Sequence, residues 1–423
     1  MHEPELQFAL VLEETCTPST FQGSPLAVIV DEVSTERLRS FRRFPVAFAG
    51  LDDRTLHQDV PREGERLGIA EACFLRECAD LNDPKRSRCY IRELLALVEK
   101  SGDPAHELPR IDKEVRTSGG FLAGNCHILM HEVGRTWARR HDVTLETMFR
   151  YVPKSNDPGC SAGFGMGMVM HLGTQLVLEP RVVIPICNQL PTRFREYTCI
   201  HGSGHAFMRG YHGMLSSAVI ACKSLGARFT PDCAQGAFHD YWISLSGGDG
   251  TERPKQADAN PRTVCGSYAY PRPCWYRFFW ERKQSDRAAA ERDVLRLCRG
   301  VAGMQRAGCI GGASLLLARS GDPIYHARAC GRLAGSDALN CLRGVNVPAL
   351  VGNRYEQIRL LRTCTGQPRA TKSGCYAWFG RTLNVVTNGR FEVSGCRRLR
   401  LPEARAACVA GARKLGEPLG TFS

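Results

Sequence analysis

The chain has 423 residues, of which 43% are hydrophobic, 8% aromatic and 23% charged. That composition excludes a disordered or collagen-like polymer and allows two or three globular domains. The formal charge is +13, and the longest apolar run, about residues 164–178, is glycine-rich and broken by His171 and Gln175, so no membrane span is expected. Residues Met1 to Glu14 carry acidic groups where a secretory leader has basic ones and lack a long apolar core, so an exported chain has lost its leader or leaves by another route.

In chain order, residues 1–110 read as a small mixed α/β region. Leu26–Val33 and Pro45–Ala49 are short β-like runs, and helical periodicity follows at Glu65–Leu81 and Cys89–Lys100. Residues 111–264 hold most of the histidine and methionine, on helical segments near 120–141, 161–177, 202–225 and 232–245. The stretch 246–264, with Gly247, Gly248, Gly250, Pro254 and Pro261, is a loop without apolar periodicity, either a surface insertion or a lid. Residues 265–423 are basic repeats. From residue 300 onward there are 16 Arg and 2 Lys against 6 acidic residues, a net +12. This asymmetry suits an acidic partner (a peptide, an anionic glycan, a lipid headgroup surface or a small-molecule substrate) or simply a soluble basic face. Nucleic acid is disfavoured, because aromatic residues are not interleaved with the basic ones.

Twenty cysteines point to an oxidising compartment, secreted or periplasmic. The closest two, Cys73 and Cys78, are five apart, so the Cys-x2-Cys pairs of a thiolate zinc site or a c-type haem are absent. Instead Cys78/Cys89, Cys222/Cys233, Cys298/Cys309, Cys330/Cys341 and Cys364/Cys375 are eleven apart, and Cys187/Cys199 and Cys396/Cys408 are twelve apart. Glycine follows the second cysteine at the third position in Cys233–Gly236, Cys309–Gly312, Cys341–Gly344 and Cys408–Gly411, and likewise after Cys160 at Gly163. The first members step from Cys265 to Cys298, Cys330, Cys364 and Cys396 with a period of 32 to 34 residues, the length of one helical hairpin in a stacked array. The glycine is expected where a neighbouring helix passes closely. Cys126 and Cys160 form a further candidate bridge. On Cys330 to Cys341, with Leu333 and Gly344, the pattern resembles disulfide-bridged Sel1-like or tetratricopeptide-like helical repeats over roughly residues 187–408. The resemblance implies a mainly α fold of stacked hairpins, an α-solenoid or α/α toroid, and carries no functional residue.

The chemistry concentrates in one window. Seven of the twelve histidines fall between His127 and His212, with His239 just beyond. His127 and His131, and again His201 and His205, are four apart, so on a helix each pair projects from one face, as two ligands of one metal require. His239 stands six residues after Cys233, as His205 stands after Cys199. Equal positions in a stacked repeat face the same side, so these five histidines are the candidate metal ligands. The alternative is a buried network in which the imidazoles bond one another, Asp240 and backbone carbonyls. His171 and His212 are weaker candidates, and His141 reads as a solvated helix end. Glu132 and Arg135 are the candidate catalytic residues. Glu132 suits a general base or an orienting group, although Arg135 stands where a zincin requires a second histidine, and the two side chains can equally pair with each other. Seven of nine methionines lie between Met130 and Met214, including Met166, Met168 and Met170. Thioether with imidazole suits copper first and iron second, whereas a methionine stripe is also ordinary core filling. Gly202-Ser203-Gly204 lacks the strand context of a hydrolase nucleophile elbow. Three readings result: a copper- or iron-dependent oxidoreductase, a copper-delivery protein without catalysis, and a repeat scaffold binding a peptide or glycan.

Overall fold

The computed structural model describes residues 78–414, apart from 80, 82, 119, 153–158, 191, 247–258, 283–297, 319–322 and 353–356. The chain divides into two units, Met1–Phe74 and Leu75–Ser423, and every described residue belongs to the second. The β-like runs, Cys16, Cys73 and most of the 246–264 loop lie outside the described residues. Within them the protein is mainly α, with no strand.

The helices longer than one turn are α1 (Asp83–Ser101), α2 (Pro104–Ser118), α3 (Gly120–Arg140), α4 (Cys160–His171), α5 (Val183–Asn188), α6 (Arg193–Gly210), α7 (Leu215–Ser224) and α8 (Thr230–Ser246). They continue as α9 (Pro261–Gly266), α10 (Pro271–Trp280), α11 (Gly303–Ala318), α12 (Pro323–Cys330), α13 (Gly335–Gly352), α14 (Arg369–Val386) and α15 (Pro402–Ala412). Their starts are written locally. Thr192 accepts a hydrogen bond from the Arg195 N–H to cap α6, Asn260 caps α9 ahead of Pro261, and Pro271 and Pro402 open α10 and α15. Asp112 of α2 accepts from the backbone N–H of Ser161 at 3.2 Å and from its hydroxyl, which ties α2 to the start of α4.

Among the described residues eighteen cysteines form nine disulfides, eight of them closing separations of 9 to 12 residues and one, Cys126–Cys160, closing 34. In each hairpin from Cys187 onward the first cysteine ends a short outer segment and the second lies in the following longer helix. Cys222 in α7 bonds Cys233 in α8, with Gly226 at φ +83° turning the chain between them. All the eleven- and twelve-residue pairings expected from the spacing are present. Cys265–Cys274, at nine, is a shorter variant of the same hairpin that its spacing hid.

The longer helices α3, α4, α6, α8, α10, α11, α13, α14 and α15 pack each on the next. The repeat glycines explain how closely. A Cβ on Gly163 would overlap the His127 carbonyl oxygen, one on Gly236 that of His201, one on Gly344 that of Gly311 and one on Gly411 that of Ala377. Backbone meets backbone at these crossings, and only glycine permits it. The array also curls: α14 touches α6, and side chains from seven of these helices, α3 through α13, line one central cavity.

Candidate metal centre

The glycine crossings bring the histidine helices together. Gly163 and Gly167 of α4 rest on the backbone of His127 and His131 in α3, and Gly236 of α8 rests on His201 in α6. The five imidazoles consequently form one contiguous cluster. The ring centroids of His127 and His131 are 5.0 Å apart, those of His131 and His205 4.9 Å, and those of His201 and His205 5.1 Å. His239 completes the cluster at 5.0 Å from His205, 5.8 Å from His201 and 6.1 Å from His131. His201, His205 and His239 are fully buried and each offers a nitrogen within 4.8 Å of the others. His131 is buried beside them, and His127, partly exposed, belongs to the cavity wall.

The acceptors behind the rings determine what the rings present to one another. Nδ1 of His205 lies 3.2 Å from the Asp240 carboxylate, and Nε2 of His239 lies 3.0 Å from Glu281. Nδ1 of His127 lies 3.1 Å from the Gly159 carbonyl. These oxygens can only accept, so the facing nitrogen carries the proton in each ring and the lone pair resides on the other: Nε2 in His127 and His205, Nδ1 in His239. Nδ1 of His239 is buried with no hydrogen-bond partner. The Nε2 atoms of His205 and His201 stand 3.3 Å apart. Two nitrogens held at about 2.0–2.1 Å on a tetrahedral ion would be separated by about 3.3 Å. The same separation is a hydrogen bond between the two rings in the metal-free protein, and the buried triad could hold a metal ion in its place.

Electrostatics keeps these rings neutral, as ligands must be. Burial pushes His201 and His239 well below the usual histidine range, and the Arg277 guanidinium and neighbouring imidazoles push them further. A hydrogen bond donated by the His201 ring to the Gln235 side chain opposes this only in part. Tyr197 donates to Gln235 at 2.5 Å, which links the cavity wall to the cluster.

Glu132 and Arg135 form an ion pair with each other along α3, and the Thr136 hydroxyl also bonds Glu132. Arg135 lies close enough to His171 to depress its pKa behind the larger effect of burial. His141 pairs with Glu99 at 2.9 Å on the surface, and His212 is an exposed turn residue at φ +52°. Met166, Met168 and Met170 are all buried, with Met168 in the apolar core and Met166 on the cavity wall alongside His127.

Sequence reasoning missed Glu281, Arg277, Tyr197 and Gln235. One signal was present. Asp240 and Glu281 each stand seven residues after the second cysteine of their hairpin, and each holds the histidine that stands six after that cysteine in the preceding hairpin. The histidine register thus has a carboxylate register beside it. No known family model matches the chain, and no curated protein or solved structure shows significant similarity to it.

Proposed function

We propose that His201, His205 and His239, with His131 and His127 toward the cavity, hold a redox metal, copper first and iron second, and that the protein is a secreted or periplasmic oxidoreductase. The observation that supports this best is the pair of carboxylates behind His205 and His239, because metal-bound imidazoles characteristically donate their outer N–H to such groups. Copper is favoured by Met166, which brings a thioether to the cavity wall that also carries His127. When bound, the metal supplies one-electron chemistry toward dioxygen or substrate. The protein's own residues orient the rings, keep them neutral and exclude water from the inner three. The arginine-rich repeats offer a basic surface for an acidic or peptide-like substrate. Nine disulfides suit an oxidising compartment, and among the described residues no helix is long and apolar enough to cross a membrane.

The delivery reading is less well served, since ligands buried to 0% exposure are poorly placed for rapid transfer to another protein. The test is metal analysis of untagged protein after reconstitution with copper, iron and zinc separately. About one equivalent of copper, reduced sharply by His205→Ala, is the expected result; less than about a tenth of an equivalent of every metal removes the centre. Turnover of dioxygen with a reductant then supports the enzyme, and transfer of metal to a competing chelator without turnover supports the carrier.

A further inference from the structure

The cavity beside the cluster is small, about 40 Å³, and open on one side. Its walls are largely apolar, and among its lining residues Arg277 alone carries a permanent charge. Arg277 breaks the repeat. It stands three residues after Cys274, where six hairpins have Gly163, Gly202, Gly236, Gly312, Gly344 and Gly411, and where Arg92 and Trp378 are the other departures. At that position a glycine draws the neighbouring backbones together, whereas here a guanidinium fills the space between α10 and the helices before it.

A guanidinium in such surroundings is costly unless an anion meets it. Burial lowers the Arg277 pKa, and Tyr197 and Glu281 offset that only in part. Glu281 is shared, since its carboxylate also accepts from His239 at 3.0 Å. Nε of Arg277 has no hydrogen-bond partner. The Trp280 ring lies 5.5 Å from the guanidinium carbon and restricts its orientation. The fork of donors matches a planar carboxylate, and one fixed charge among apolar walls suits a monoanion better than a phosphoryl group.

We propose that Arg277, positioned by its hydrogen bond to the Tyr197 hydroxyl oxygen, receives the carboxylate of a small aliphatic acid whose apolar end points toward Phe194, Leu315 and Val347. Its opposite end then faces His127. The significance of this site for catalysis rests on the metal reading, while the binding of the acid can be measured without it.

Calorimetric titration of the full chain with acetate, acetamide and inorganic phosphate, in metal-free and copper-loaded forms, tests the proposal. Acetate should bind at least about tenfold more tightly than acetamide, phosphate should not displace it, and Arg277→Met should abolish the preference while Arg277→Lys retains part of it. Equal binding of acetate and acetamide overturns the proposal, as does a preference unchanged in Arg277→Met or a tighter phosphate complex. Should Arg277→Met fail to fold, the unmutated protein and Tyr197→Phe decide: the acid preference must be present in the first and reduced in the second. Copper occupancy measured on the same preparations separates the two readings. An acid preference without metal overturns the metal centre alone, and metal without an acid preference overturns the acid site alone.

Discussion

His205 and His239 differ from ordinary core histidines in what stands behind them. A neutral imidazole buried for packing alone needs one donor and one acceptor partner, whereas here a carboxylate sets each tautomer and directs the lone pair into a cluster of other imidazoles. Removing that direction should weaken the centre without removing a ligand. Asp240→Asn and Glu281→Gln are each expected to lower metal affinity by roughly 10- to 100-fold, measured by competition with a chromophoric chelator, with His212→Ala as the unaffected control. The buried rings also set a pH dependence for the metal-free protein. His201 and His239 have folded pKa values well below the ordinary 6.5, so the unfolded chain binds more protons than the folded one below that pH. Stability is therefore fully present above about pH 6.5 and falls as the pH drops below it toward the depressed folded values. Denaturant midpoints flat between pH 5 and 7 would contradict this.

At the scale of the helix, position along the hairpin matters more than amphipathic pattern. Counting from the second cysteine, the third residue where it is glycine sets how close the neighbouring helix comes, the sixth faces the cavity or the histidine cluster, and at Asp240 and Glu281 the seventh holds the sixth residue of the preceding hairpin. Met166, His205, His239, Trp280, Leu315 and Val347 all occupy that sixth place. His205 and His239 are therefore variations on one inward position, made convergent by backbone contact at the glycines. Gly236→Ala places a methyl group on the His201 carbonyl and is expected to cost about 1–3 kcal/mol in denaturant unfolding and to lower metal occupancy. Gly165→Ala, on the same kind of helix but facing open space, should be neutral or stabilising by up to about 1 kcal/mol.

Across the whole second unit, eight short disulfides and one longer one stiffen an array in which each hairpin packs mainly on its neighbours. Each short closure restricts the unfolded chain. Loss of Cys330–Cys341 in the Cys330→Ser/Cys341→Ser double variant should lower unfolding free energy by about 2–4 kcal/mol, read from the urea midpoint. Curvature then does what no single hairpin can. It turns side chains from seven helices toward one space and brings α14 back to α6. The three innermost histidines are fully buried, whereas His127 of the cavity wall is partly exposed.

The spacing of Cys330/Cys341 and its relatives was enough to read the hairpins, their disulfides and the glycine crossings, because a bridge over a tight turn leaves a fixed interval between its ends and a backbone contact admits only glycine. The shared place of His205 and His239 was legible for the same reason: identical intervals from a covalent staple give identical directions. The N-terminal β-like runs lie outside the described residues. Partnership across hairpins was not legible. That Glu281 stands behind His239, that Arg277 replaces a packing glycine to reach the cavity, and that Glu132 pairs with Arg135 all depend on the angle and distance between successive helices. Those follow from the summed packing of many side chains and not from any local interval, so the chain written as a line determined which residues face inward, while only its curvature in space decided which of them meet.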